Sequence, residues 1–164
     1  GFMAPEIVAK TGWTTNELAT HLIHTVLQKQ YDFVTLLIGV NNQYRNLSIT
    51  EFDQEFTFLL LKALQYNGHQ NSRVFVLSIP DWAHTPFAQK KSAESGLNLT
   101  EISAQIDAFN EVIKKRCEDM EIDFIYITDF TRNCAPEMIA QDGLHYSAQM
   151  HQIWAGLLLE KFIL

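Results

Sequence analysis

The chain has 164 residues and a mass of 18.8 kDa, the size of one domain able to bury a single sizeable core. Apolar residues make up 47% and charged residues 19%, which excludes a mainly disordered or low-complexity chain. A formal net charge of −7 and an isoelectric point of about 5.3 argue against bulk affinity for nucleic acid or an anionic membrane, both of which need a basic surface.

The sequence has no apolar run long enough to span a bilayer and no basic segment followed by an apolar stretch, so neither membrane insertion nor a signal peptide is expected. Cys117 and Cys134 make no CxxC pair and are too few for a disulfide scaffold, so both are expected to be free thiols. With no internal repeat and no Gly/Ser linker, residues 1–164 read as a single domain. The opening Gly1-Phe2-Met3-Ala4-Pro5 reads like an interior segment.

In chain order, strand and helix patterns alternate. Ile7-Val8-Ala9 is a short apolar run after Pro5 and predicts a strand. Thr14 and Glu17 form a capping box, opening a helix with Leu18, Leu22, Ile23 and Val26 on its apolar face. Phe33 to Ile38, apolar except for Thr35, predicts a strand covered on both faces. Ser48 and Glu51 make a second box before a helix carrying Phe52, Phe56, Leu59, Leu60, Ala63 and Leu64, stopped by Asn67-Gly68. Val74–Leu77 predicts a buried strand ended by Ile79-Pro80, and Asp81 to Gly96, lacking a period, reads as a long loop. Asn98 and Glu101 cap a helix burying Ile102, Ile106, Phe109 and Ile113. Phe124–Ile127 predicts a fourth strand, and Ser147 caps a last helix with Met150, Ile153, Trp154, Leu157 and Leu158. Such alternation predicts an α/β fold, a parallel sheet with helices on both faces. Functional loops should then follow the carboxyl ends of the strands.

Three fragments stand at those ends: Gly12 in Lys10-Thr11-Gly12-Trp13-Thr14, Asn41 in Gly39-Val40-Asn41, and Asp142-Gly143-Leu144-His145 before the last helix. Each alone is a common turn sequence. Together their chemistry is complementary. His145 is a general base for neutral pH, and Asp142 is close enough in a turn to accept its Nδ1–H and fix the tautomer. Asn41 offers a side-chain amide and Gly12 a backbone N–H unshielded by a Cβ, the two kinds of donor an oxyanion hole uses. Trp13, Trp82 and Phe87 are candidates for an acyl or alcohol pocket, and Arg45 for an acidic substrate group, although packing and solvation explain such residues as well. His21 and His24, one turn apart, have no evident third ligand and read as ordinary helix residues. GxGxxG, P-loop and HExxH motifs are absent, so no cofactor or metal is expected.

In these blocks the sequence resembles the SGNH hydrolases, the GDSL-type esterases and lipases. Gly12, Gly39-Val40-Asn41 and Asp142-Gly143-Leu144-His145 match the family's second, third and fifth blocks in order, and Ile79-Pro80-Asp81-Trp82 extends the likeness across the chain. The resemblance implies a flavodoxin-like three-layer fold and ester hydrolysis through a serine acyl-enzyme, with His145 as base, Asp142 as its orienter and Gly12 and Asn41 as oxyanion donors. Asn42 stands where many members have Asp, and Tyr146 where many have Pro. The first block, Gly-Asp-Ser, which supplies the nucleophile, does not occur. The family carries it after a central strand, so a strand and helix of roughly 30–40 residues, judged by the size of a βαβ unit, are expected before Gly1. Among the serines present Ser78, at a strand end, is the remaining candidate, and it lies in the wrong crevice for the family.

The expected partner is therefore a small ester: an acyl ester, a lysophospholipid-like molecule or an acetylated sugar. The alternative is a flavodoxin-like binding module or a degenerate hydrolase without its nucleophile. A phosphate-accepting receiver domain would need clustered acids at the strand ends, whereas Asp81 and Asp129 are scattered.

Overall fold

The computed structural model describes residues 4–27 and 30–162. Helix α1 (Thr15–His24) begins at the reciprocal capping box, in which Thr14 N donates to Glu17 Oε2 at 2.8 Å and Glu17 N donates to Thr14 Oγ1 at 3.3 Å. It ends at Thr25, which is extended, so Val26 lies outside the helix and is 99% exposed. Only Leu18 of the predicted face is buried, and Ile23 is exposed.

Strand β1 (Val34–Leu36) is shorter than the predicted run, and helix α2 (Val40–Tyr44) follows it. Helix α3 (Ile49–Tyr66) starts with Ser48 Oγ accepting the Glu51 N–H, half of the expected reciprocal pair. It buries all six predicted apolar residues. Strand β2 (Val74–Leu77) is buried throughout. The stretch predicted as a loop is instead a 3-10 turn at Trp82–His84 and helix α4 (Pro86–Ser95), with Thr85 Oγ1 accepting the Ala88 N–H and Pro86 in the first turn. Helix α4 buries only Ala88, so no apolar period announces it. Helix α5 (Leu99–Asp119), strand β3 (Asp123–Ile125), helix α6 (Thr128–Arg132) and helix α7 (Ala148–Phe162) complete the order.

The strands pair in parallel in the order β1-β2-β3, with Val34 opposite Val74 and Val76 opposite Phe124. Alternation along β2 divides the core. Val74 and Val76 pack with Phe52, Phe56, Ile106 and Ile113 of α3 and α5, whereas Phe75 and Leu77 pack with Met150 and Trp154 of α7. Helices therefore cover both faces, the three-layer α/β arrangement expected.

Two strand expectations are corrected. Ile7-Val8-Ala9 is not a strand: these residues have no ladder partner among the described residues, and Ile7 is 80% exposed. The Phe33–Ile38 run is not covered on both faces, because β1 has β2 as its one partner among the described residues and Thr35 and Leu37 are exposed. An apolar run forms a buried strand only where neighbours satisfy its backbone and cover its side chains.

A buried polar clip fixes the carboxyl ends of β2 and β3. Asn110 accepts the Ile79 N–H at 2.7 Å and donates to Thr128 Oγ1 at 3.0 Å, and Thr128 Oγ1 donates to Ile79 O at 2.8 Å. Ser78 Oγ accepts the N–H groups of Ile127 and Thr128 at 2.8 and 3.1 Å and lies 2.8 Å from Thr128 Oγ1. Fully buried and saturated in this way, Ser78 is a structural hydroxyl and not a nucleophile.

Candidate active site

Gly12 lies just ahead of α1, Asn41 follows β1 in α2, and Asp142 and His145 lie between α6 and α7. Gly12 occupies the third position of a turn closed by Trp13 N donating to Lys10 O at 3.2 Å, and its φ of +85° suits glycine. Asn41 lies in the first turn of α2, entered through Gly39 at φ +126°. Its Nδ2 donates to Trp13 O at 3.0 Å. Asn41 is thus bonded to the carbonyl of Trp13, the residue that follows Gly12 and lies 28 positions before Asn41 in the sequence. Arg45 reinforces the join, with Nη2 donating to Gly12 O at 2.6 Å and Nη1 lying 3.3 Å from Glu17 Oε2. The neighbouring Asn42 is buried, accepting the Thr15 N–H at 3.0 Å and donating to Thr15 Oγ1 at 2.7 Å.

Asp142 and His145 occupy the tip of a small antiparallel hairpin. Ala140 N donates to His145 O and Ser147 N to Met138 O, both at 2.7 Å, around the Ile139–Tyr146 bridge. Gly143 turns the tip at φ +73°. Asp142 Oδ1 accepts the N–H groups of Leu144 and His145 at 2.9 Å each, and Oδ2 lies 2.6 Å from His145 Nδ1. The Leu144 N–H, the imidazole and the His145 N–H together pull the Asp142 carboxyl down to about 2. The carboxylate is thus ionised across the ordinary pH range and holds the proton on Nδ1, leaving Nε2 as a base. The His145 side chain is 66% exposed.

The hairpin tip is docked onto the segment after β2. Phe87 N, in the first turn of α4, donates to Gly143 O at 2.9 Å, and Tyr146 Oη donates to Asp81 O at 2.9 Å. The loops after β1, β2 and β3 therefore assemble at one end of the sheet. That end presents an exposed carboxylate-oriented imidazole before α7 and, after β1, the Asn41 amide bonded to the residue next to Gly12. An arrangement of this kind can accept a proton and stabilise a developing oxyanion.

The proposed pocket residues fare less evenly. Trp82 does not line an opening: it is 6% exposed, part of the α3–α5 core, and donates from Nε1 to Gln43 Oε1 at 2.7 Å. Arg45 is engaged with Gly12 and Glu17, a bracing role that its sequence position does not reveal. Trp13 is half-buried with its ring 4.9 Å from that of His21, and Phe87 is half-buried under the Lys91 ammonium. His21 pairs with Thr25, as an ordinary helix residue does, and no metal-holding cluster of His, Cys, Asp or Glu occurs among the described residues. Surface cavities of about 390 and 370 Å³ lie elsewhere, beside Asp53 and Arg116 and beside Cys134 and Met150. Among the described residues, no helix is long and apolar enough to cross a membrane.

Comparison with known proteins gives the same direction. No curated protein matches the sequence. Among solved structures, an acetylxylan esterase from Geobacillus stearothermophilus superposes with a TM-score of 0.66 at 17% identity, over 92% of this chain and 68% of that one. An α/β hydrolase enzyme from the metagenome of Lake Arreo, Spain, gives 0.67 at 16% identity, covering 92% and 68%. A GDSL-like lipase from Bacteroides thetaiotaomicron gives 0.67 at 14% identity, covering 91% and 70%. At these identities the likeness establishes the fold. The sequence itself matches the family model described as GDSL-like Lipase/Acylhydrolase over residues 3–153, and the chain belongs to that family.

Proposed function

We propose that the protein is a serine-dependent ester hydrolase acting on a small ester such as an acyl ester, a lysophospholipid-like molecule or an acetylated sugar. The observation that carries this reading is the 2.6 Å contact between His145 Nδ1 and Asp142 Oδ2, with the imidazole exposed at the sheet end that also holds Gly12 and Asn41. In this scheme His145 takes the serine proton as the serine oxygen attacks the ester carbonyl, then gives it to the departing alcohol. Water next attacks the acyl-enzyme, its proton passes through His145 to the serine, and the acid leaves. The Gly12 N–H and an Asn41 amide N–H stabilise the oxyanion at each tetrahedral stage. Structural likeness to an acetylxylan esterase supports including acetylated sugars among the substrates.

The nucleophile is assigned to a segment ahead of Gly1 that adds a strand to the open edge of β1, so that residues 1–164 form the larger part of one hydrolase domain. Supporting this are the exposed Thr35 and Leu37, the lack of a ladder partner for residues 7–9 among the described residues, and the greater length of the matched esterase. The test is labelling of the natural full-length protein with a fluorophosphonate probe, followed by peptide mapping and ester turnover. One labelled serine upstream of Gly1, with turnover lost in His145→Ala, is expected. Labelling elsewhere, or full turnover without His145, overturns the assignment. Ester retention without turnover, in a protein with no upstream serine, establishes the binding module instead.

A further inference from the structure

Neighbouring residues on an extended strand point to opposite sides. On the hairpin strand His145 is exposed, whereas Tyr146 is buried with its ring 5.4 Å from that of Trp154. The direction of the imidazole is therefore coupled to the seating of Tyr146. The phenol is held by its Oη–H donated to Asp81 O at 2.9 Å, and burial raises its titration so that the donor proton stays in place.

Asp81 is itself a fixed point. Its carboxylate is fully buried, with Oδ1 accepting the Ala83 N–H at 3.0 Å and Oδ2 accepting Arg132 Nε at 2.8 Å, while its backbone N–H donates to Thr131 Oγ1 at 2.9 Å. Arg132 in turn reaches Asp107 Oδ1 on α5 at 2.7 Å. The path from His145 thus runs through Tyr146 and Asp81 to Arg132, onto α6 and α5, the most deeply braced polar connection of the hairpin.

We propose that Tyr146, seated on the backbone carbonyl of Asp81, is a positioning residue that sets the direction of the His145 imidazole. The proposal rests on the reading of His145 as the base of an ester hydrolase. Displacement of a reacting group by about 1 Å can cost on the order of 10²-fold in rate, so loss of one anchor while the Gly143–Phe87 bond remains should cost less.

Tyr146→Phe, made in the full-length protein, removes the hydroxyl and keeps the ring. The expected result is a fall of about tenfold in kcat, with KM within about twofold, as a loss confined to the transition state produces. The low-field proton resonance of the His145 Nδ1–H bonded to Asp142 should broaden by solvent exchange. A merely structural tyrosine would lower thermal stability and leave both readouts unchanged, and that result overturns the proposal. Should the parent protein turn over no ester, the hydrolase reading fails. The imidazole resonance still decides the positioning role in that case, since an unaltered line in Tyr146→Phe refutes it.

Discussion

Replacing Gly39 by alanine tests the steric basis of the turn that delivers Asn41. Gly39 caps α2 at φ +126°, and an added Cβ would lie 2.7 Å from Ile79 Cδ1 and 2.9 Å from Phe52 Cε2. The backbone conformation costs an alanine about 1–3 kcal/mol, and forcing a methyl into a packed core costs about 1–3 kcal/mol more. Gly39→Ala should therefore lose about 2–6 kcal/mol, and Tm should fall by about 2–4 °C for each kcal/mol in a domain of this size. Urea unfolding followed by tryptophan fluorescence measures the loss. Ile79→Val, which by itself costs about 0.5–1.5 kcal/mol, removes the nearest clashing carbon. In that background the Gly39→Ala penalty should shrink by about 1 kcal/mol, with the Phe52 contact and the φ strain accounting for the rest. A Gly39→Ala protein within about 1 kcal/mol of its parent, or an equal penalty in both backgrounds, would refute the steric argument.

If Asn41 is an oxyanion donor as proposed, Asn41→Ala should lower kcat by about 10²–10³ while KM changes little, because such a donor acts on charge that exists only in the transition state; steady-state kinetics on an ester substrate gives both values. Asp142 is ionised in the fold down to about pH 2, below its unfolded range near pH 4. Its ionisation thus stabilises the fold fully above that range, and the contribution is lost as pH falls through about 2, so urea midpoints between pH 5 and 2 should decline less steeply in Asp142→Asn than in the parent. Arg45→Met removes the brace on Gly12 O from a partly exposed site, so Tm should move by no more than a few degrees while kcat falls about threefold to tenfold. Equal kcat in Arg45→Met and parent would show that Gly12 is held without it.

What the sequence disclosed depended on whether its signal was local. The capping residues Thr14, Ser48 and Asn98 each accept a backbone N–H at a helix start, as their spacing to Glu17, Glu51 and Glu101 implies. The three-residue interval from Asp142 to His145 becomes a hydrogen-bonded pair because Gly143 supplies the left-handed turn between them. Helix α4 has no apolar period because its Gln89-Lys90-Lys91 stretch faces solvent, although Thr85-Pro86 marks its start. Contacts across the fold have no local signature at all. Nothing around Trp82 announces Gln43 as its partner, nothing around Arg45 announces the Gly12 carbonyl, and Tyr146 reads as a bystander until its hydroxyl meets Asp81.

The polar clip behind the strand ends has a consequence for how local opening is distributed through the molecule. The amides of Ile79, Ile127 and Thr128 are bonded to buried side-chain oxygens, so their exchange with deuterium is expected to require a large opening of the core. The amides of Leu144 and His145 are bonded to a half-exposed carboxylate and need only a local opening of the hairpin tip. A slow-exchanging floor and a fast-exchanging rim are therefore expected at the same end of the sheet, joined through the Tyr146–Asp81 bond.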